Sequence, residues 1–376
     1  MNFEGLINVC VLIGGCSVEH EISLISGLQT VLNMDKDKYN VKVVYLSKNN
    51  DLICLKKFDS LDCFKENKFL GKKSNCYFRR DNDKTYLIQK GRKWKVDVFF
   101  PVVHGKGVED GSLAGMIELL KVPNVCSGVT SSAVAQDKGL CKRVLKSSGI
   151  RMAKFIEVTY DSLDKKIGKI ISSFSFPLII KPALLGSSIG ISIATNEIEL
   201  KEGITNALKY SDKVIVEHKF EDFVEYNMAC FSSKGELVTS LVEEVSSKND
   251  YLTFDDKYND GGLKEVEKDN RCVPAKISDE LESEIRNYTK TIYKVLGFSG
   301  VVRVDYLYDK VNNKLYFNEV NTIPGSLAFY LYPSYSFKEF IDLLIKDALF
   351  RYHKECDMIK SFDTNILSVK VLKMKK

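Results

Sequence analysis

Four polar residues stand inside two otherwise apolar runs near the C-terminus, RVDYLYDKVNNKLYFNEVNTIPGS: Arg303, Asp305, Glu319 and Asn321. Strand interiors disfavour Asp and Asn, so these side chains need a reason to be there. Residues two apart on a strand share a face, which groups Arg303 with Asp305 and Glu319 with Asn321. Loop length decides whether the two pairs meet. A two-residue Asn312-Asn313 turn sends the carboxylates to opposite faces, whereas a three- or five-residue loop centred on Asn312 sets Asp305 against Glu319 and Arg303 against Asn321. The odd loop is expected, because it leaves Val302, Val304, Tyr306 and Val320 as a buried face. Two facing carboxylates repel by about 4 kcal/mol at an effective dielectric of about 20. A salt bridge to Arg303 is one way to offset that. The other is a hard cation, since two carboxylates and an amide oxygen form an incomplete oxygen shell suited to Mg²⁺. Water and phosphate oxygens usually complete such shells, which points to a nucleotide.

A second candidate is the loop KPALLGSSIGIS, which supplies Lys181, Gly186, Ser187, Ser188 and Gly190 between two strand-like flanks. It is neither a Walker A sequence nor G-x-G-x-x-G. Small residues let backbone amides approach phosphate oxygens while Lys181 reaches them from the preceding strand; taken alone, a plain Gly-Ser turn is an equal reading. Glu19 opens a helix after a Gly-Gly turn, where the helix dipole favours an acid on structural grounds alone. His104 follows an apolar strand and reads equally well as a satisfied core histidine. Tyr226 and Trp94 read as packing.

Alternating β and α units must position these groups. INVCVLIGG, a helix over Glu19–Asn33, YNVKVVYLS and the later VDVFFPVVHG open a doubly wound parallel sheet, apolar because both faces are covered. Asn49–Lys95 is polar, lysine-rich and without clear periodicity, and reads as an inserted flap with little role in chemistry. TSSAVAQDKGLCKRVLKSSGI reads as one helix capped by Thr130 or Ser131 and stopped at Gly149. A second unit holds a helix near Asp161–Phe174, the strand FPLIIKPA, the glycine loop, a helix over Glu197–Tyr210 and KVIVEHKF. A third holds further strands, a helix over Asp279–Leu296, the hairpin and an amphipathic closing helix, SFKEFIDLLIKDALFRYHKE. The length of 376 residues fits two or three domains. A net charge of +5 gives no reason to expect nucleic acid, while an anionic small ligand suits it. No apolar run approaches the roughly 20 residues of a membrane span, and the N-terminus reads as a first strand instead of a signal peptide. Ten cysteines without a C-x-x-C pair suggest reduced thiols in the cytoplasm, and four scattered histidines speak against a His-based metal site.

Taken together, GGCSVEHEISLISG, HGKGVEDGSLAGMIELLKVPNVCSGVTSSAVAQDK, KPALLGSSIGIS, DDKY and RVDYLY…FNEVNTIPG resemble the D-alanine–D-alanine ligases of the ATP-grasp superfamily, in the family's order and over most of the chain. The resemblance implies an α/β (α+β) three-domain ATP-grasp fold: an N-terminal Rossmann-like domain over 1–126 with the insertion near 49–95, a central subdomain over 127–217 and a C-terminal subdomain over 218–376. It implies a cytoplasmic enzyme of peptidoglycan synthesis. ATP would phosphorylate the carboxylate of one D-alanine and the amine of a second would attack the acyl phosphate, releasing ADP and phosphate. Asp305, Glu319 and Asn321 match ligands of two Mg²⁺ ions, with Mn²⁺ an alternative. Arg303 and the Gly325 amide match the groups that stabilise the tetrahedral oxyanion. Lys138, Lys181 and the loop residue Lys257 match phosphate-binding lysines, and Glu217 and Glu225 match the adenosine-binding carboxylates, with Glu225 in a spacing about one residue longer than usual. Glu19 would bind the first substrate's ammonium, linked to Ser187 and Tyr258, and His104 would stand near the second substrate. A homodimer is the family expectation.

One stretch departs from the pattern. The family's Ser-Leu pair after N-T-x-P-G is replaced in SLAFYLYP, where Tyr330 takes the serine position and Leu331 the leucine. Both positions line the family's second-substrate site. The alternative function is therefore an ATP-grasp ligase joining D-alanine to another acceptor, such as D-serine, and a third is a nucleotide-binding protein without catalysis.

Overall fold

The computed structural model describes residues 5–65, 75–245 and 271–359, together with Phe362 and Thr364. The N-terminal unit begins β1 (Ile7–Gly14), α1 (His20–Leu32), β2 (Tyr39–Leu46), β3 (Leu52–Cys54) and α2 (Asp62–Lys65). It continues through β4 (Cys76–Asp81), β5 (Lys84–Gln89), β6 (Arg92–Val96), β7 (Val98–Val103) and α3 (Ser112–Leu119). Its main sheet runs β3-β2-β1-β7, with β1 parallel to β2 and β7, and β3 antiparallel at the edge. Val9–Ile13 and Val98–Phe100 are wholly buried, as continuous apolar runs demand when both faces are covered.

The insertion differs from its expectation. β4, β5 and β6 form a three-stranded antiparallel sheet of two tight hairpins, turning at Asn82-Asp83 and Lys90-Gly91. Leu87 and Val96 bury one side of it against the N-terminal core, and Phe78 meets Phe99 edge-on at 4.9 Å. Lysine and arginine on the solvent face hid the alternation, although Lys90 and Gly91 have the positive φ that such turns require.

The segment read as a single helix after Val129 is two: α4 (Val129–Gln136) and α5 (Lys138–Leu145). Asp137 between them is extended, and its carboxylate caps α5 at the Leu140 amide while pairing with Lys213. The break puts Lys138 at the first position of the new helix. A four-stranded sheet follows, β10-β9-β11-β8, made of β8 (Phe155–Thr159), β9 (Leu178–Pro182), β10 (Ser192–Ala194) and β11 (Lys213–His218). Helices α6 (Leu163–Ser173) and α7 (Glu197–Ala207) close its core around Ile170, Ile180 and Ile204.

The last sheet has the order β14-β13-β12-β15-β16, from β12 (Phe223–Ser233), β13 (Glu236–Val245), β14 (Arg271–Cys272), β15 (Val302–Asp309) and β16 (Lys314–Asn321). One face, including Met228, Val304, Tyr306 and Phe317, packs on α4, α5 and α8 (Asp279–Val295). A tight turn over Gly325–Leu331 and α9 (Phe337–Cys356) follow, α9 opening on a Ser336/Glu339 capping box. Both pack into the core of the N-terminal unit: Leu327, Ala328, Leu331, Phe340 and Ile345 belong to the same apolar cluster as Val11 and Phe99. Among the described residues no helix is long and apolar enough to cross a membrane.

Candidate active site

Asp305 does stand opposite Glu319, and Arg303 opposite Asn321. The loop is not the reason. β15 and β16 are joined by the four residues between Asp309 and Lys314, and continuing that register would set Asp305 against Asn318. A bulge between Tyr306 and Asp305 absorbs one residue of β16 and restores the pairing. The expected odd loop is thus corrected to an even one plus a bulge, with the same result at the site.

Paired residues on adjacent strands point to one side of a sheet. Glu243, Asn227, Asp305 and Glu319 accordingly form a row across β13, β12, β15 and β16, on the face away from the apolar core. Arg303 grips Asp305 through two hydrogen bonds of 2.7 Å, from Nε and Nη2. The Asn321 amide donates to Asp305 at 3.0 Å. Burial works against the Arg303 charge, but Asp305 outweighs it and pushes the guanidinium further up. Next in the row, the wholly buried Glu243 accepts from Arg271 at 2.7 Å, Tyr330 at 2.9 Å and Asn227 at 3.1 Å. Tyr330 is thus half-buried beside Arg303 with its hydroxyl committed to Glu243, whereas the Leu331 side chain is wholly buried in the N-terminal core.

This face continues into a cleft of about 240 Å³ between the last two sheets, lined by Lys138, Lys181, Glu217, Phe220, Glu225, Asn318 and Glu319 among others. Lys138, carried by the break before α5, meets Glu319 at 2.8 Å and the Leu185 carbonyl at 2.8 Å. Lys181 lies on Glu217 at 2.8 Å and on Asn318 at 3.1 Å, so the bulge residue has a task. Lys142, one turn beyond Lys138, pairs with the other Glu217 oxygen. Burial opposes ionisation of Glu217, but Lys142 and Lys181 overcome it and hold the carboxyl at about 2.

Above the cleft, Ser187 and Ser188 are both left-handed (φ 54° and 58°), a conformation that turns successive amides toward one point. The Ser187 hydroxyl donates to Glu19, which is buried where α1 begins. A Cβ on Gly186 would lie 3.1 Å from a Glu19 oxygen, and one on Gly105 would lie 2.9 Å away; glycine is what lets both loops close on this carboxylate. His104 is buried below, its ring on Ser26 at 3.2 Å and its amide on Ser23 at 2.9 Å. Gly325 opens the turn after β16. Lys257 and Tyr258 lie outside the described residues.

The family descriptions "D-ala D-ala ligase N-terminus" and "D-ala D-ala ligase C-terminus" match residues 8–127 and 144–345. A D-alanine–D-alanine ligase of Thermosipho melanesiensis is 36% identical over 370 residues, covering 97% of this chain and 99% of its own. The chain belongs to the D-alanine–D-alanine ligase family. It is an ATP-dependent ligase. The corresponding enzyme of Thermosipho africanus is 35% identical, over 98% of this chain and 100% of its own. Among solved structures, the VanG D-Ala:D-Ser ligase of Enterococcus faecalis superposes with a TM-score of 0.79 at 28% identity, over 91% of this chain and 99% of its own. The D-alanine–D-alanine ligase of Coxiella burnetii gives 0.79 at 25%, over 93% and 96%.

Five residues of the site were not singled out in the sequence. Lys142 was within reach, four residues after Lys138 on one helix face. Asn318, Asn227, Glu243 and Arg271 depend on strand pairing and had no local signal.

Proposed function

We propose that this ligase forms D-alanyl-D-alanine for peptidoglycan synthesis through an acyl phosphate, and that it works as a cytoplasmic homodimer of three-domain chains with boundaries near 126 and 217. The observation that carries the reading is the row of Asp305 and Glu319 at the mouth of the cleft, with Arg303 against Asp305, Lys138 against Glu319, and Lys181 further in on Glu217 and Asn318. Lys138 and Lys181 rest on acidic partners and would pass to nucleotide phosphates, while Glu217 and Glu225 receive donors of the adenosine. Glu19, held by Ser187, takes the ammonium of the first D-alanine, leaving its carboxylate toward the phosphate. Arg303 and the Gly325 N–H stand where the tetrahedral oxyanion develops, fixed cationic and dipolar donors that need no rearrangement at that moment. Lys257 and Tyr258 would close over the intermediate, and His104, Tyr330 and the backbone at Leu331 would border the second substrate.

Hard oxygen donors gathered on one face of two adjacent strands fit Mg²⁺ or Mn²⁺: Asp305, Glu319 and Asn321 would hold it. Such ions supply positive charge to the transferring phosphoryl group. Incubation with Mg-ATP and a panel of D-amino and D-hydroxy acids, followed by ADP assay and mass spectrometry, tests the reading. D-alanyl-D-alanine with one ADP per peptide bond is expected. A mixed product such as D-alanyl-D-serine in preference would replace the acceptor assignment, and ADP release indifferent to D-alanine would overturn the reading.

A further inference from the structure

The loop that carries Gly325 is held from outside its own sheet. One oxygen of Glu109 accepts from the Thr322 hydroxyl at 3.0 Å and from the Ile323 amide at 2.8 Å. The other accepts from the Gly105 amide at 3.0 Å. Beyond Gly325, the Ser326 amide donates to Ser26 of α1 at 3.1 Å, and the Ser326 hydroxyl donates to Gln29 at 2.6 Å. Ser26 is the hydroxyl on which the His104 ring also rests. The tie points are thus two residues before Gly325 and one after it, and all of them come from the N-terminal unit. The turn that begins at Ser326 needs such support. Ser326, Leu327 and Ala328 are consecutive left-handed residues with φ of 50–54°, each strained by roughly 1–2 kcal/mol.

We propose that Glu109 and Ser26 are positioning residues that set the Gly325 amide against the oxyanion, so that the N-terminal unit tunes the chemical step of a site built on the C-terminal sheet. The inference rests on the oxyanion role given to Gly325 above. Glu109 touches no reacting atom. Its two oxygens serve donors on two different loops, and a glutamine can satisfy only one end, because its NH₂ group must then face an N–H. One loop is released, and displacement of a reacting group by about 1 Å costs on the order of 10²-fold in rate.

Glu109→Gln is compared with Asp110→Asn. Asp110 braces the same loop through the Gly107 and Ser112 amides at 2.8 and 3.1 Å and does not reach residues 322–326. Both variants are assayed for kcat, for the KM of ATP and of D-alanine, and for inhibition by a tetrahedral phosphinate mimic of the dipeptide. Glu109→Gln is expected to lower kcat about 10²-fold with both KM values within about threefold, and to weaken the phosphinate by the same factor. Asp110→Asn is expected to lose stability without that kcat loss. Ser26→Ala, a smaller change, is expected to shift kcat and phosphinate affinity in the same direction, and stands in should Glu109→Gln not fold. Equal kcat losses in Glu109→Gln and Asp110→Asn, or a kcat loss without weaker phosphinate binding, would overturn the proposal. Failure of the oxyanion reading itself is seen separately, as tight phosphinate binding by Arg303→Ala.

Discussion

Replacing Glu217 by glutamine removes the anion that two buried lysine ammonium groups share. Lys142 and Lys181 each reach one of its oxygens, and Lys142 and Glu217 are almost wholly buried. Stripping one partner from a buried ion pair costs roughly 3–5 kcal/mol. The pH linkage gives a compatible figure. The Glu217 carboxyl is held at about 2 against an ordinary 4.5, so its stabilising contribution is complete above pH 4.5 and drains away as pH falls toward 2. A difference of that size corresponds to about 3 kcal/mol in full, of which roughly 1 kcal/mol is gone by pH 3.5. Urea unfolding of parent and Glu217→Gln at pH 7 and pH 3.5 measures both. The variant is expected to be about 3 kcal/mol less stable at pH 7, with the gap narrowed by roughly 1 kcal/mol at pH 3.5. A variant within about 1 kcal/mol of the parent at pH 7, or a gap that does not narrow in acid, refutes the reasoning.

Glu319→Ala is expected to lower ligation by about 10³-fold or more while changing stability by less than about 1 kcal/mol, since its partner Lys138 keeps the Leu185 carbonyl; activity retained at low Mg²⁺ speaks against a metal role. Tyr330→Phe is expected to cost roughly 1–2 kcal/mol in a melt, because the buried Glu243 loses a donor, with acceptor preference unchanged. Tyr330→Ser opens space beside Arg303 and is expected to weaken acceptor discrimination by roughly 1–3 kcal/mol, read from competition between D-alanine and larger D-amino acids. Gly186→Ala is expected to raise the KM for the first D-alanine, because the new methyl crowds the Glu19 oxygens; an unchanged KM would place the ammonium elsewhere.

The long helices were legible because their periodicity and caps are local: Ser278 and Ser336 cap α8 and α9 within a residue of where the pattern starts. Breaks imposed by tertiary contacts were not. Asp137 ends α4 because its carboxylate serves Leu140 and Lys213, and nothing adjacent in the sequence announces Lys213. The facing of Asp305 and Glu319 was anticipated, yet from a loop length that is off by one residue, since a bulge leaves no mark in hydrophobic alternation. The insertion's strands were missed because six or fewer residues with charges on the open face resemble a polar linker. The paired lysines on Glu217 became visible only when α5, β9 and β11 were brought together.

The sharing of one core between the two ends of the chain bears on how the molecule is made. Val9–Ile13 leave the ribosome some three hundred residues ahead of Ile323, Leu331, Phe340 and Ile345, which belong to the same apolar cluster. During synthesis the opening sheet therefore waits, with apolar surface uncovered, through most of translation. Contacts between such distant segments also carry a high loop-closure entropy and slow the final step of folding. The central sheet, whose core lies entirely within Val158–Val216, has no such dependence and can fold as soon as it emerges. These contacts favour folding from the middle of the chain outward, and leave the nascent N-terminal sheet as the segment with most apolar surface to guard.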